Sequence, residues 1–206
     1  MTPYEFGLAG RPWPTGASVL HVYAGVDFTL NPELAQLISR WREAIEADPI
    51  RPLADDALHI TIDAITDTTA SQVSAEERRE LSNAIRTAVA SAPVYRGFAA
   101  GCLSTSSGAV VNISPAQPLT ELHYRVRAAI KDLRGPAAVQ AAVSKAHISL
   151  GYCHQEVDSD VVQRHLRAVD PSHAPVVIDA LQLVDVHADT ATGDLAWHTV
   201  DTFPLR

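Results

Sequence analysis

Hydrophobic positions along the chain switch between two periods, and the switches mark out its elements. In "VLHVYAGVDF" (19–28) and "LHITIDAI" (58–65) apolar residues crowd at the short spacing of strands. Between them, in "NPELAQLISRWREAI", Leu34, Leu37, Ile38, Trp41 and Ile45 recur every three or four positions and share one helical face. Asn31 offers an N-cap and Pro32 takes the first helical position. The same order returns later. "GAVVNIS" (108–114) predicts a strand, and "PLTELHYRVRAAIKDL" (118–133) a helix with Leu122, Val126, Ala129, Ile130 and Leu133 as its apolar stripe. "KAHISLGY" (145–152) then predicts another strand. The two units are in near register: 27 positions separate Pro32 from His59, and 29 separate Pro118 from His147. Such an internal repeat predicts two similar lobes related by a pseudo-twofold axis.

The other segments fit around this plan. "SAEERRELSNAIRTAVASAP" opens with the capping-box pair Ser74 and Glu77 and continues as an amphipathic helix through Leu81, Ile85 and Val89. "YRGFAAGCLSTSSGAVVNIS" reads as a hairpin turning at "STSSG". "SDVVQRHLRAVD" is a shorter helix, and "APVVIDALQLVDVHADTATGDLAWHTVDTFPL" a closing hairpin turning at "DTATGD". With no low-complexity stretch or linker, residues 19–206 read as a single α+β domain behind a lead segment, residues 1–18.

Composition narrows the function classes. At 206 residues, 47% of them hydrophobic, the chain can bury a substantial core. Two cysteines are too few for a disulfide framework and point to a reducing compartment. With no basic, apolar leader at the N-terminus and no run of bilayer-spanning length, the expectation is a cytoplasmic protein that does not engage a membrane. A net charge of -8 with only 16 Lys and Arg argues against a long basic track for duplex DNA or extended RNA, and leaves room for a small anion held by a few placed groups.

The candidate chemistry lies in two phrases, "HITI" at 59–62 and "HISL" at 147–150. In a strand His59 and Thr61 share a face with Ile60 and Ile62 on the reverse, and His147 and Ser149 share a face with Ile148 and Leu150 on the reverse. Two imidazoles across a cleft can divide the roles of proton acceptor and donor, and the hydroxyls can bind the oxygens of an anion between them. This suits in-line displacement at phosphorus without a metal. Requiring Ile, Leu or Val at both alternate positions of His-x-Ser/Thr lowers the chance count to about 0.07 in a chain of this composition. Two copies, each closing a repeat, are therefore a strong signal.

The paired phrases, 88 positions apart, resemble the two signature motifs of the two-histidine (2H) phosphoesterase superfamily, and the closing hairpin ending in "FPL" is similar to its bacterial 2′-5′ RNA ligase-like branch. The resemblance runs from about Val19 to the end. It implies a bilobal α+β fold, two pseudo-twofold-related lobes of antiparallel sheet flanked by helices around a central cleft. It also implies an enzyme that hydrolyses 2′,3′-cyclic phosphates or 2′-5′ phosphodiesters of nucleotides or RNA ends, with no metal and no cofactor. His59 and His147 would be catalytic, with His147 the base for water and His59 the acid to the departing ribose oxygen; Thr61 and Ser149 would bind the phosphate. The alternatives are a 2′-5′ RNA ligase acting on tRNA-like ends, which the acidic balance disfavours, and a non-catalytic module that binds nucleotide termini.

Outside the phrases the expectations are structural. His21, His123, His154, His165, His173, His187 and His198 show no zinc-ligand spacing and are expected at the surface or in caps. Plain alternation puts Asp63 on the face of His59, where it would repel a phosphate unless it sits beyond the cleft or orients an imidazole. It puts Tyr152 on the core face and lets Cys153, expected to be a packed thiol, follow His147, Ser149 and Gly151. Asp55 and Asp56 read as a solvated loop.

Overall fold

The computed structural model describes residues 1–142 and 145–206. Its elements are β1 (Gly7–Leu8), β2 (Arg11–Pro12), β3 (Ser18–Gly25), α1 (Pro32–Ala44), β4 (Ile50–Pro52), β5 (His59–Ala64), α2 (Ala75–Val89), β6 (Tyr95–Ser104), β7 (Gly108–Ser114), α3 (Gln117–Arg134), β8 (His147–Cys153), α4 (Ser159–Arg167), β9 (His173–Ile178), β10 (Ala180–Asp189) and β11 (Asp194–Pro204). Two antiparallel sheets carry the fold, in the orders β11-β10-β3-β5 and β4-β8-β7-β6-β9; β1 and β2 form a separate ribbon. The first strand and last strand of each repeat pair with each other, β3 with β5 and β7 with β8. The helices cross over: α1 lies against β9 of the second sheet and α3 against β5 of the first. One continuous core therefore joins both lobes, and β5 and β8 meet along the seam.

The helical periods hold in the packing. All five apolar residues expected on one face of α1 are buried. Asn31, however, makes no capping bond. Its amide reaches β9 instead, donating to the Val177 carbonyl at 3.0 Å and accepting from the Val177 N–H at 2.7 Å, so a residue expected to serve its own helix ties the lobes together. The Ser74–Glu77 capping box is present with both bonds. In α3 the buried face is Leu119, Leu122, His123, Val126 and Ile130, while Leu133 is 40% exposed. The last turn of α3 ends at Gly135, whose φ of 88° favours glycine and whose N–H returns to the Lys131 carbonyl at 2.7 Å.

The closing segment splits. Residues 173–178 join β6 as β9, and the hairpin is β10 and β11 alone. Among the described residues, no helix is long and apolar enough to cross a membrane.

Candidate active site

Both histidine-headed strands contain the same irregularity at the same place. In β5, Tyr23 pairs with Thr61 and the next pair is Val22 with Asp63, so Ile62 is an extra, bulged residue. In β8, Val110 pairs with Ser149 and the next pair is Ala109 with Gly151, so Leu150 is the extra residue. Each bulge lies three positions after its histidine and reverses the facing of everything beyond it.

That reversal corrects two expectations drawn from plain alternation. Asp63 does not share the face of His59. It pairs with core-facing Val22 and turns under the sheet, where Arg127 of α3 donates from Nε and Nη2 to its two carboxylate oxygens, each at 2.9 Å. Its side chain is 1% exposed, and the charge is answered before it can oppose an anion in the cleft. Tyr152 shares the face of His147 and Ser149 and lines the trough with them, while its ring also packs against both core clusters, as expected of a core residue. Cys153 takes the buried side as a packed thiol.

The histidines are anchored alike. His59 Nδ1 lies 2.9 Å from the carbonyl of Ala57, and His147 Nδ1 lies 2.8 Å from the carbonyl of Lys145, each two residues upstream. A carbonyl only accepts, so Nδ1 carries the proton in both rings. When a ring is neutral, its Nε2 then offers a lone pair to a ligand. The rings are near enough that the charge of one bears on the other.

Their surroundings differ. His59 is only 7% exposed, and burial pulls its imidazole down to about 4, with nearby His147 adding to the fall and the Ala57 carbonyl opposing it. His147 is half-buried and opens into a trough of about 340 Å³. His147, Ser149 and Tyr152 of β8 line this trough together with Lys145 just before the strand, Asn112 and Tyr4. Gly108 and Gly151 also line it, and their backbones approach so closely that a Cβ on Gly108 would stand 2.5 Å from the Gly151 carbonyl oxygen. Thr61, the exposed residue of β5, borders a small hollow with Ala146, the neighbour of His147 in the chain. The strands that carry His59, Thr61, His147 and Ser149 meet, with His147 and Ser149 in the trough and Thr61 in the hollow that Asp63 also lines.

Several residues here escape sequence patterns. Tyr4 comes from the lead segment, whose main chain bonds to Cys153, and its ring stacks on Tyr152 at 4.1 Å between centroids. Tyr23 of β3 stacks on His59, and Trp197 of β11 meets it edge-on. The one local signal was the pair His21 and Tyr23, two polar rings on one face of an otherwise aliphatic strand. His21 and His123 are also buried, against the surface role expected for them. His21 Nδ1 pairs with the Tyr23 hydroxyl at 2.9 Å, and His123 Nδ1 donates to the Ile62 carbonyl at 2.6 Å. Among the described residues no three His, Cys, Asp or Glu side chains converge to hold a metal ion.

With two imidazoles anchored alike on strands that meet, the likeness to solved structures becomes informative. TT0787 of Thermus thermophilus superposes with a TM-score of 0.67 at 15% identity, covering 91% of this chain and 98% of that one. A phosphoesterase gives 0.66 at 17%, again covering 91% and 98%. Escherichia coli LigT complexed with 3′-AMP gives 0.66 at 17%, covering 92% and 98%. The chain has a LigT-like fold. No family model matches the chain, and no curated protein matches it. The LigT-like architecture agrees with the resemblance drawn from the paired motifs, and the seam between its sheets is where β5 and β8 meet.

Proposed function

We propose that the protein is a metal-independent phosphoesterase that hydrolyses 2′,3′-cyclic phosphates or 2′-5′ phosphodiesters of nucleotides or RNA ends. The observation that carries this reading is the duplicated device of strand, bulge and Nδ1-anchored histidine on two strands that meet, which supports a pairing of the two imidazoles. LigT structures hold 3′-AMP, ATP and phosphate, which supports a nucleotide-sized phosphorylated ligand here.

Thr61 and Ser149 bind the non-bridging oxygens. His59 takes a proton from water, the oxygen attacks phosphorus, and the bond to the ribose oxygen breaks as His147, entering the step as an imidazolium, donates its Nε2 proton to that oxygen and is left neutral. What supports His59 as the base is its burial, which keeps it neutral with a free lone pair at pH 7. This division is the reverse of the one the resemblance implies. Each step needs only proton transfer and in-line geometry, each role contributing about 10²- to 10⁴-fold.

The test is hydrolysis of 2′,3′-cyclic AMP in excess chelator by the wild type and by the His59→Ala and His147→Ala variants, all checked for folding. The expected result is turnover by the wild type and a loss of about 10²-fold or more in each variant. A folded wild type inert toward both cyclic phosphates and 2′-5′ dinucleotides would defeat the proposal.

A further inference from the structure

The two histidines have the same strand, the same bulge and the same Nδ1 anchor, yet only one is enclosed by aromatic rings. Tyr23 lies flat against His59, with centroids 3.8 Å apart and planes at 19°. Trp197 closes a second side, 5.2 Å away at 78°, and itself meets Tyr23 at 5.2 Å and 83°. The Tyr23 hydroxyl is held by His21, whose ring packs against Trp13. Among the described residues no aromatic ring stacks on His147.

We infer that Tyr23 and Trp197 are positioning residues that make two otherwise equivalent histidines unequal, holding His59 in one orientation and shielding it from water so that it rests uncharged between turnovers. This rests on the two-histidine reading above. Two effects compete in such an enclosure. A ring face attracts an imidazolium, which favours the charged form; loss of water penalises it. His59 is only 7% exposed, and loss of water is the first cause of its lowered imidazole pKa.

The titratable groups around His59 are His21 and Tyr23 from β3 and His147 from β8, with Tyr152 of β8 and Tyr4 of the lead segment near Tyr23 in turn. Beyond Trp197, Asp27, Asp56 and Asp179 line an open hollow. Those carboxylates would favour a charged His59, so the enclosure works against them.

The experiment follows each histidine by NMR pH titration in the wild type and in the Trp197→Leu, Tyr23→Leu and Tyr23→Phe variants, alongside the pH profile of kcat/KM for 2′,3′-cyclic AMP. The expected result is that the His59 midpoint rises from about 4 in the wild type toward the ordinary imidazole value of about 6.5 in both leucine variants. The acid limb of kcat/KM should move with it, Tyr23→Phe should stay near the wild type, and the His147 midpoint should hold. Trp197 is half-buried, so Trp197→Leu decides the matter even if Tyr23→Leu does not fold. An unmoved His59 midpoint in folded Trp197→Leu, or an equal rise at His147, overturns the inference. The titration needs no substrate, so it stands apart from failure of the phosphoesterase reading.

Discussion

Replacing Arg127 with Met tests whether the bulge in β5 has delivered a true buried ion pair. Asp63 is 1% exposed and takes two guanidinium bonds of 2.9 Å, and Arg127 also donates to the Ala141 carbonyl at 2.7 Å. In Arg127→Met the carboxylate keeps only the Ala64 N–H at 2.9 Å, because the nearby His123 Nδ1 is committed to the Ile62 carbonyl. Stranding one partner of a buried pair costs about 3 to 5 kcal/mol. The Arg127 side chain is 20% exposed, so some water reaches the gap and the lower end, about 3 kcal/mol, is expected. For a chain of this size that is a fall in Tm of roughly 6 to 12 °C. Circular dichroism melts and urea titrations of the wild type, Arg127→Met, Asp63→Leu and the double variant measure it. The double variant should recover much of the loss, since apolar side chains of similar volume can replace a buried pair at little cost. A loss below about 1 kcal/mol in Arg127→Met would show that water already solvates Asp63, and would refute the account of how its charge is kept from the cleft.

Two further outcomes follow from the same geometry. Burial holds His59 down to about 4 and His21 down to about 3, whereas both protonate near 6.5 in the unfolded chain. The unfolded state therefore binds more protons across that interval, and stability falls as pH drops from about 6.5 toward 4, by on the order of 3 kcal/mol for His59. Urea melts from pH 7.5 to 4.5 should show this slope, and His59→Gln should reduce it by about half, leaving the His21 contribution; the same slope in both proteins would contradict the assignment. Tyr152→Leu removes the ring that the Leu150 bulge turns into the trough and should lower kcat/KM about tenfold, mainly through KM. An unchanged KM would mean that the trough does not take substrate.

Much of this arrangement was legible because periodicity and repetition are local properties. The α1 face, the α2 capping box, the β6–β7 turn and the paired motifs each depend on residues a few positions apart. What was not legible depends on a partner strand. A β-bulge is a mismatch of register between two strands, and no feature within "HITIDA" or "HISLGYC" announces the extra residue; yet that residue decides whether Asp63 shares the face of His59 and whether Tyr152 shares the face of His147. The same limit hid Tyr4, Tyr23 and Trp197, which reach the site from the lead segment, β3 and β11. It also hid the role of Asn31, whose partner Val177 is 146 positions away.

The distribution of these residues explains how a repeated fold supports an unsymmetrical reaction. Strand, bulge and Nδ1 anchor occur once in each repeat and by themselves would present two equivalent imidazoles. Equivalent imidazoles share a cleft but have no preferred division between acceptor and donor, and general acid–base catalysis needs one ring with a free lone pair and the other with a proton to give. The elements that break the equivalence lie in unlike environments. Trp197 comes from β11, beyond either repeat, and Tyr23 from β3; together they enclose His59. Tyr4 and the β6–β7 turn leave His147 open to the trough. On the function proposed, the repeats supply the chemistry, and their unequal surroundings supply its direction.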